Sequence, residues 1–224
     1  MGVQICQERE RVGPVTEVAS DGRPLGRRAQ ATRRRVLDAT AELLGTDGIL
    51  ELKVVDVART VGISPATFYQ YFQNVEEAVL TLSAEVGTET SDIAEALDQP
   101  WRGAAGLDAA RRLIDRFIAY WDEHRAVLRV RNLAAQEGDL RFREVRNESL
   151  SHITDRLAEQ IAEARDRNRI AAEINPYGAA GALVAMMERM AAYHFDFEER
   201  GVSRAELVET VARIVNQTVT GRRA

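Results

Sequence analysis

The sequence predicts an all-α protein of about nine helices, arranged as an N-terminal three-helix head with a helix-turn-helix and a larger C-terminal helical body. Three observations predict this fold. Apolar residues recur at intervals of three and four along most of the chain, which is the period of an amphipathic helix. Residue pairs typical of helix starts, such as Asn175-Pro176 and Ser203 with Glu206, precede several of these stretches. No segment shows the alternation of apolar and polar residues that a half-buried strand requires.

The predicted helices have separate signals along the chain. The first, from Ala29 to about Gly45, carries apolar residues at helical spacing. The fourth follows a predicted capping box at Asn74 and is expected to run unbroken to the residue before Pro100, linking head to body. The body helices are predicted around residues 113–121, 126–136 and 142–161, then from Pro176 through Ala192, and after Ser203.

The composition is that of a folded protein without a membrane segment. Of the 224 residues, 45% are hydrophobic and 29% charged, too apolar a balance for a disordered chain. Cys6 is the only cysteine, so no internal disulfide can form. The longest apolar stretch, from Gly178 to Met187, is too short to cross a bilayer, and the N-terminus lacks the apolar run of a secretory signal. We therefore expect a cytoplasmic protein with no membrane partner.

Two short helices joined by a tight turn are predicted around Gly62. Glycine supplies the permissive backbone that a sharp turn needs. Ser64 followed by Pro65 is typical of an N-cap and a first helical residue. The second helix then begins with the short side chains of Ala66 and Thr67, which allow its N-terminal end to approach base edges in a major groove. The pattern predicts a DNA-binding helix-turn-helix.

These residues resemble the signature of TetR-type transcriptional repressors. The resemblance rests on Gly62-Ile63-Ser64 and on Thr67-Phe68-Tyr69-Gln70-Tyr71-Phe72, and it extends in register over residues 32–82. Two positions depart from the family pattern: Lys53 stands where a threonine usually caps the second helix, and Val75 where a lysine usually opens the fourth. The resemblance implies a head that binds DNA and a body that binds an effector and dimerises.

The chain accordingly divides into three parts. Residues 1–26 mix glycine, proline, serine and charged residues without periodicity, which predicts a disordered arginine-containing arm whose end can enter a minor groove. Residues 27–74 are the predicted helix-turn-helix DNA-binding domain. Residues 75–224 are the predicted effector-binding and dimerisation domain.

Charge along the chain supports DNA binding, although the formal net charge is −5. Six arginines and no acidic residue lie between residues 22 and 37, whereas acidic residues are in excess after residue 74. Arginines at the head can neutralise phosphates, while the alternative is a solvated charge run with no partner. The residues predicted to contact DNA are Arg27, Arg28, Arg33, Lys53, Ser64, Pro65, Ala66, Thr67, Tyr69, Gln70 and Tyr71.

Aromatic and methionine side chains concentrate in body helices that the resemblance places around an effector pocket. Such side chains suit an adaptable apolar cavity, with Tyr120, His152 or His194 as polar groups that orient a small hydrophobic effector. The alternative is plain core packing. The residues predicted to bind the ligand are Trp101, Phe117, Tyr120, Trp121, His152, Met186, Met187, Met190, Tyr193 and His194, with Phe195 beside them.

The last two predicted helices have the composition of a dimer interface. Small residues from Gly178 to Ala185 permit close helix approach, and residues 207–215 give the final helix an apolar face. The resemblance implies a four-helix interface between two copies, and a two-fold dimer requires a palindromic operator. The alternative is that both helices close the core of a monomer.

Enzyme signatures are weak in this sequence. The three histidines lie far apart, and no metal-ligand spacing, phosphate-binding glycine loop or nucleophile elbow accompanies them. We expect no catalytic site, metal or cofactor. Two alternatives stay open beside a ligand-responsive repressor that binds double-stranded operator DNA. One is an enzyme whose site is formed by residues distant in the sequence. The other is a DNA-binding module whose body recruits a protein.

Overall fold

The computed structural model describes residues 23–46, 52–98, 101 and 103–221, and over these ranges the all-α fold is confirmed. The predicted arm up to residue 22, with Cys6, lies outside the described residues. No helix in the described ranges has both the length and the apolar character needed to cross a membrane. The helices are α1 (Arg27–Thr46), α2 (Val54–Val61), α3 (Pro65–Phe68), α4 (Val75–Thr88), α5 (Thr90–Ala94), α6 (Gly103–Gln136), α7 (Leu140–Asp166), α8 (Pro176–Ala192), α9 (His194–Glu198) and α10 (Arg204–Thr220), with a 3₁₀ turn at Glu95–Leu97.

The head packs around one small apolar core. A valine, leucine or phenylalanine side chain that is fully buried in such a core stabilises the fold by about 1.5–3 kcal/mol through its removal from water. An ion pair then joins the head to α4, because Arg34 Nη1 of α1 lies 2.7 Å from Glu85 Oε2. The large side chains that are fully buried in the head core include Val36, Leu37, Val57, Phe68 and Phe72.

The helix that links head to body is broken, so the predicted unbroken helix up to Pro100 is wrong. α4 ends at Thr88 and α5 begins at Thr90, with Glu89 between them. Gly87 allows α4 to approach α7 so closely that an added Cβ would lie 3.0 Å from the Ser149 Cβ. Thr90 Oγ1 donates to the Gly87 carbonyl at 2.8 Å and to the Ser149 carbonyl at 2.5 Å. Packing against α7 therefore sets the break.

α6 contains a kink at the boundary between two predicted helices. His124 has φ −112° and ψ 17°, outside the helical region, within an element that otherwise runs from Gly103 to Gln136. The apolar periodicity of residues 113–121 and of residues 126–136 thus belongs to two halves of one bent helix. The kink therefore separates the two predicted helices without ending the element.

Local capping signals located the helix starts. The predicted capping box of α10 is present, because Ser203 Oγ accepts from Glu206 N and Glu206 Oε2 accepts from Ser203 N. At α4 the Asn74 side chain accepts from Glu77 N at 2.8 Å, as predicted. The Glu77 carboxylate instead accepts from Gln73 N, one residue earlier than a capping box requires.

α10 is held against α6 by a charged pair as well as by apolar packing. Arg111 donates to both carboxylate oxygens of Glu209, Nε to Oε2 at 2.6 Å and Nη2 to Oε1 at 2.9 Å. Arg213 Nε donates to the same carboxylate at 2.7 Å. Chiefly because of the Arg111 hydrogen bonds, the pKa of Glu209 falls from 4.5 to about 2.

Glu209→Gln is expected to lower stability in a pH-dependent manner. Because the folded-state pKa of this carboxyl is depressed to about 2 from its ordinary 4.5, its contribution is complete above the ordinary value and disappears as the pH falls through the folded value. Urea unfolding of both proteins at neutral and several acidic pH values measures this. The difference in urea midpoint between the variant and the native protein should shrink steadily as the pH falls below the ordinary pKa. The control Glu42→Gln, at an exposed glutamate, should show no such pH-dependent difference. A difference that does not change with pH contradicts the assignment.

Candidate DNA-binding surface and body cleft

The turn between α2 and α3 depends on the backbone of Gly62. This residue has φ 74° and ψ 37°, a left-handed conformation that strains other residues. The next amide, Ile63 N, donates to the carbonyl of Ala58 at 2.9 Å and closes the end of α2. The turn fixes the angle at which α3 leaves α2, as the sequence predicted.

The start of α3 is held by side-chain hydrogen bonds. Ser64 Oγ accepts from Thr67 N at 3.1 Å and lies 2.9 Å from Thr67 Oγ1. Pro65 occupies the first helical position, where no amide hydrogen is needed. The Thr67 hydroxyl is thus oriented by the cap at the open end of the helix. Ala66 and Gln70 are exposed beside it.

The two tyrosines of the motif occupy different environments. Tyr69 is 52% exposed and its ring meets the buried Phe68 edge-on, with 5.9 Å between centroids. Tyr71 is buried in the head core. Its ring supports the fold, and Tyr69 is the tyrosine that extends from the surface beside α3.

Some arginines of α1 contact other parts of the head, whereas others are exposed at its surface. Arg27 and Arg28 are exposed. Arg33 lies with its guanidinium carbon 4.9 Å from the centroid of the Phe72 ring, a cation–π contact at the edge of the head core. Arg35 donates to the Val61 carbonyl at the end of α2. Sequence reasoning did not separate these roles, because the partners lie on other helices.

Lys53, the departure from the family pattern at the start of α2, is exposed. It occupies the N-cap position without a side-chain hydrogen bond to the helix. The cap is therefore missing, and the ammonium group extends into solvent on the head.

The predicted ligand-binding residues do not form one cluster. His152 is exposed on α7, and Tyr193 is also exposed, so these two lie outside the interior. Both interior polar groups are already bonded: Tyr120 Oη donates to the Val86 carbonyl at 3.4 Å, and His194 Nε2 lies 2.7 Å from Asp122 Oδ1. The remaining members are buried or half-buried: Trp101, Phe117, Trp121, Met186, Met187 and Met190.

A cleft of about 690 Å³ opens where the body meets the head. Its walls come from α6 beside and beyond the kink, from α7, α8 and α9, and from Leu44 near the end of α1. Of the ten predicted ligand-binding residues, Trp121 and Tyr193 line it, with Phe195 beside them. Four arginines and two carboxylates supply its charges: Arg125, Arg129, Arg146, Arg189, Glu188 and Asp196.

Sequence reasoning missed these charged groups. The spacing of Arg125 and Arg129, four residues apart, places both on one face of α6 and was an available signal. No local pattern connects them with Arg146 or Glu188, which arrive from α7 and α8.

A buried polar cluster lies behind the cleft. Arg131 is 1% exposed, and burial lowers its pKa below the usual arginine value. Its Nη2 lies 3.5 Å from Glu188 Oε1, and its Nη1 donates to Ser149 Oγ at 3.1 Å. Arg146 Nη2 donates to the other oxygen of Glu188, and Asn132 Nδ2 donates to Oε1 at 3.3 Å. The cluster joins α6, α7 and α8.

One group among the described residues has the spacing of metal ligands. The side chains of Glu89, Glu123 and His124 offer three atoms that all lie within 4.8 Å of one another. A hydrogen bond of 2.8 Å between His124 Nε2 and Glu89 Oε2 already accounts for the approach of two of them. Both carboxylates are exposed.

Comparisons with known proteins agree with this architecture. A family model described as Tetracyclin repressor-like, C-terminal domain, matches residues 92–224. A second, described as bacterial regulatory proteins, tetR family, matches residues 36–82. The HTH-type transcriptional regulator EthR of Mycobacterium tuberculosis is 27% identical over 201 residues, which cover 89% of this chain and 93% of EthR.

Solved structures share the fold at lower identity. Bacillus subtilis FadR in complex with stearoyl-CoA has a TM-score of 0.60 and 18% identity, covering 84% of this chain and 98% of its own. SmeT, the repressor of the Stenotrophomonas maltophilia multidrug efflux pump SmeDEF, has a TM-score of 0.57 and 17% identity, covering 85% and 89%. Since the C-terminal family model alone matches more than half of the chain, the chain belongs to the TetR family of helix-turn-helix transcriptional regulators.

Proposed function

We propose that the protein is a transcriptional repressor, which binds a palindromic operator as a homodimer and releases it when a small lipophilic effector occupies the body. The observation that carries the proposal is α3 itself: a capped helix start, set at a fixed angle by Gly62, with short and polar side chains exposed. SmeT, which shares the fold, is a repressor, and Bacillus subtilis FadR was solved with stearoyl-CoA.

Residues 27–74 are proposed as the DNA-binding domain, with separate base and phosphate contacts. Ala66, Thr67 and Gln70 are exposed or half-exposed along α3 and its following turn, and they are assigned to base edges. Ser64 and Pro65 set the helix start. The phosphate contacts are assigned to Arg27, Arg28, Arg33, Lys53, Tyr69 and Tyr71, of which Tyr71 reaches the surface least.

The dimer interface is proposed on the open faces of α8 and α10, within residues 75–224. Gly181 has no heavy atom within 4 Å of an added Cβ, and Ala182 beside it is exposed. Tyr177 is 61% exposed and Ile214 is 42% exposed. Small residues flanked by apolar side chains suit close, self-complementary helix packing. A two-fold pair of heads then presents its α3 helices about 34–36 Å apart, or a multiple of that distance.

Coupling between body and head is proposed to pass through α4. Its Glu85 is bound to Arg34 of α1. Two residues further along, at the same C-terminal end of α4, Gly87 packs against Ser149 of α7. Thr90, the first residue of α5, donates to the Ser149 carbonyl. A ligand that moves α7 or α8 therefore changes the angle of α4, and the two heads lose the spacing that the operator requires.

Selection from randomised duplex DNA at a stated salt concentration tests the proposal. The purified protein should enrich one palindrome, because each half-site is read by one head of the dimer. Ala182→Arg should give a monomer and weaken binding to that palindrome by at least about tenfold, since it places two charges opposite each other across the two-fold axis. Size measurement by light scattering accompanies each binding curve.

The matched control for this variant is Ala119→Arg. Ala119 is an exposed helical alanine on α6 beside Glu89 and Glu95, away from the open face of α8. The control should remain dimeric and bind normally. Enrichment of single half-sites, or dimeric Ala182→Arg with full affinity, contradicts the proposal.

Tyr69→Phe should weaken binding to every operator sequence by a similar, several-fold factor. The hydroxyl is assigned to a phosphate oxygen, and one such hydrogen bond contributes about 1 kcal/mol. The phenylalanine ring keeps the edge-on contact with Phe68, and the unfolding temperature, measured alongside, shows whether the head stays folded. Affinities for the selected palindrome and for single-base variants of it, at several salt concentrations, provide the measurement. An unchanged affinity on all of them refutes the contact.

Thr67→Ala should change base preference at one position of each half-site. It removes both the hydroxyl held by Ser64 and the methyl group beside it. Thr67→Ser keeps the hydroxyl and the cap, and therefore separates readout by the methyl from readout by the hydroxyl. Repeating the selection with each variant measures this. Identical enriched sequences for all three proteins overturn the assignment of Thr67 to a base edge.

A further inference from the structure

The cleft between body and head has an excess of positive charge. Its four arginines face two carboxylates, in a chain whose formal net charge is −5. Arg129 is exposed and has no carboxylate within ion-pair distance among the described residues. Arg189 lies 3.7 Å from the centroid of the Tyr193 ring and also lacks a carboxylate partner in the described part of the chain. Two guanidinium groups thus extend along the cleft without a counter-charge.

The buried side of the cleft also carries more positive than negative charge. Glu188 is the carboxylate that Arg131 and Arg146 share. Two guanidinium groups beside one carboxylate leave a positive charge that the surroundings must stabilise. Arg131 is 1% exposed, so water reaches it poorly. Arg146 is partly open and also lines the cleft, where a second anion can reach it.

The other walls of the cleft are apolar. Leu133 and Phe195 are about half exposed there, and Leu44 closes the side toward the head. The wall also includes the ring of Trp121, which is 2% exposed. Apolar walls beside arginine side chains together define the ligand.

We propose that this cleft binds an amphipathic anion, with its acidic group at Arg129 and Arg146 and its apolar part along Trp121, Leu133 and Phe195. The acidic group competes with Glu188 for Arg146. A carboxylate and a phosphate monoester share the required chemistry. This site lies at the junction with α1, apart from the interior around Phe117 and Met187. The effect of this ligand on operator binding rests on the proposed function, whereas the binding of the ligand itself requires no operator.

Calorimetric titration of the full chain without DNA tests the site. The probes are dodecanoate, dodecyl phosphate and dodecan-1-ol, each below the concentration at which it aggregates. Both acids should bind saturably at one site per chain and at least about tenfold more tightly than the alcohol. Their ranking distinguishes a carboxylate ligand from a phosphate ligand. Equal affinity for the alcohol and both acids overturns the proposal.

Three variants separate this site from general detergent binding. Arg129→Gln should weaken the binding of both acids about tenfold without affecting the alcohol, because a charge-assisted contact is lost. Arg112→Gln, an exposed arginine elsewhere on α6, is its matched control and should bind normally. Glu188→Gln should bind both acids more tightly than the native protein, since it removes the competitor for Arg146 and keeps the side-chain shape.

The gain of affinity in Glu188→Gln is the outcome that a merely structural role cannot produce. If that variant loses stability, the acids should restore its unfolding temperature more than they raise that of the native protein. Weaker acid binding by a folded Glu188→Gln, or unchanged binding by Arg129→Gln, contradicts the proposal. Because none of these titrations uses DNA, a failed operator selection would not contradict the ligand site. A failed titration would likewise not contradict operator binding.

Discussion

The body depends on the sharing of one buried carboxylate by two guanidinium groups. Glu188 of α8 reaches Arg131 of α6 and Arg146 of α7. In a protein interior the removal of one partner from such a group costs about 3–5 kcal/mol, because a charge is left without compensation. The shared carboxylate therefore ties α6, α7 and α8 together, and a change at one of its arginines is felt by the other. Ser149, bonded to Arg131 and to Thr90, extends the same constraint to the α4–α5 junction.

The head uses arginine in a different way. Arg34 and Arg35 join α1 to α4 and to the end of α2 at the surface, where ion pairs contribute little stability but fix direction. Arg27 and Arg28 stay exposed one to two turns earlier on the same helix. One arginine-rich helix thus serves both the packing of the head and its positive field. In the coupling that we propose, a motion of α4 reaches α1 through the ion pair of Arg34 with Glu85, and the exposed arginines of α1 move with it.

The sequence predicted what depends on neighbouring residues and failed where distant residues meet. Correct predictions include the turn at Gly62, the cap at Ser64 and the capping box at Ser203. Each involves residues no more than a few positions apart, so its pattern can be recognised in the sequence itself. The break at Glu89 arises because Gly87 meets Ser149 on α7. Apolar periodicity continues across that break, which is why one long helix was predicted. Periodicity also identified buried residues but not the cleft, whose arginines come from three helices.

The position of the cleft bears on how a ligand can act. Phe117 and Leu113 of the interior are almost wholly buried, and where such side chains are close-packed a molecule reaches them only if their neighbours move. In the cleft a ligand displaces no core side chain and touches Leu44 of the head directly. It also meets Arg146, whose partner Glu188 holds Arg131. At the proposed site, binding energy would therefore be available to shift the head to the extent that the ligand binds one head position more tightly than another.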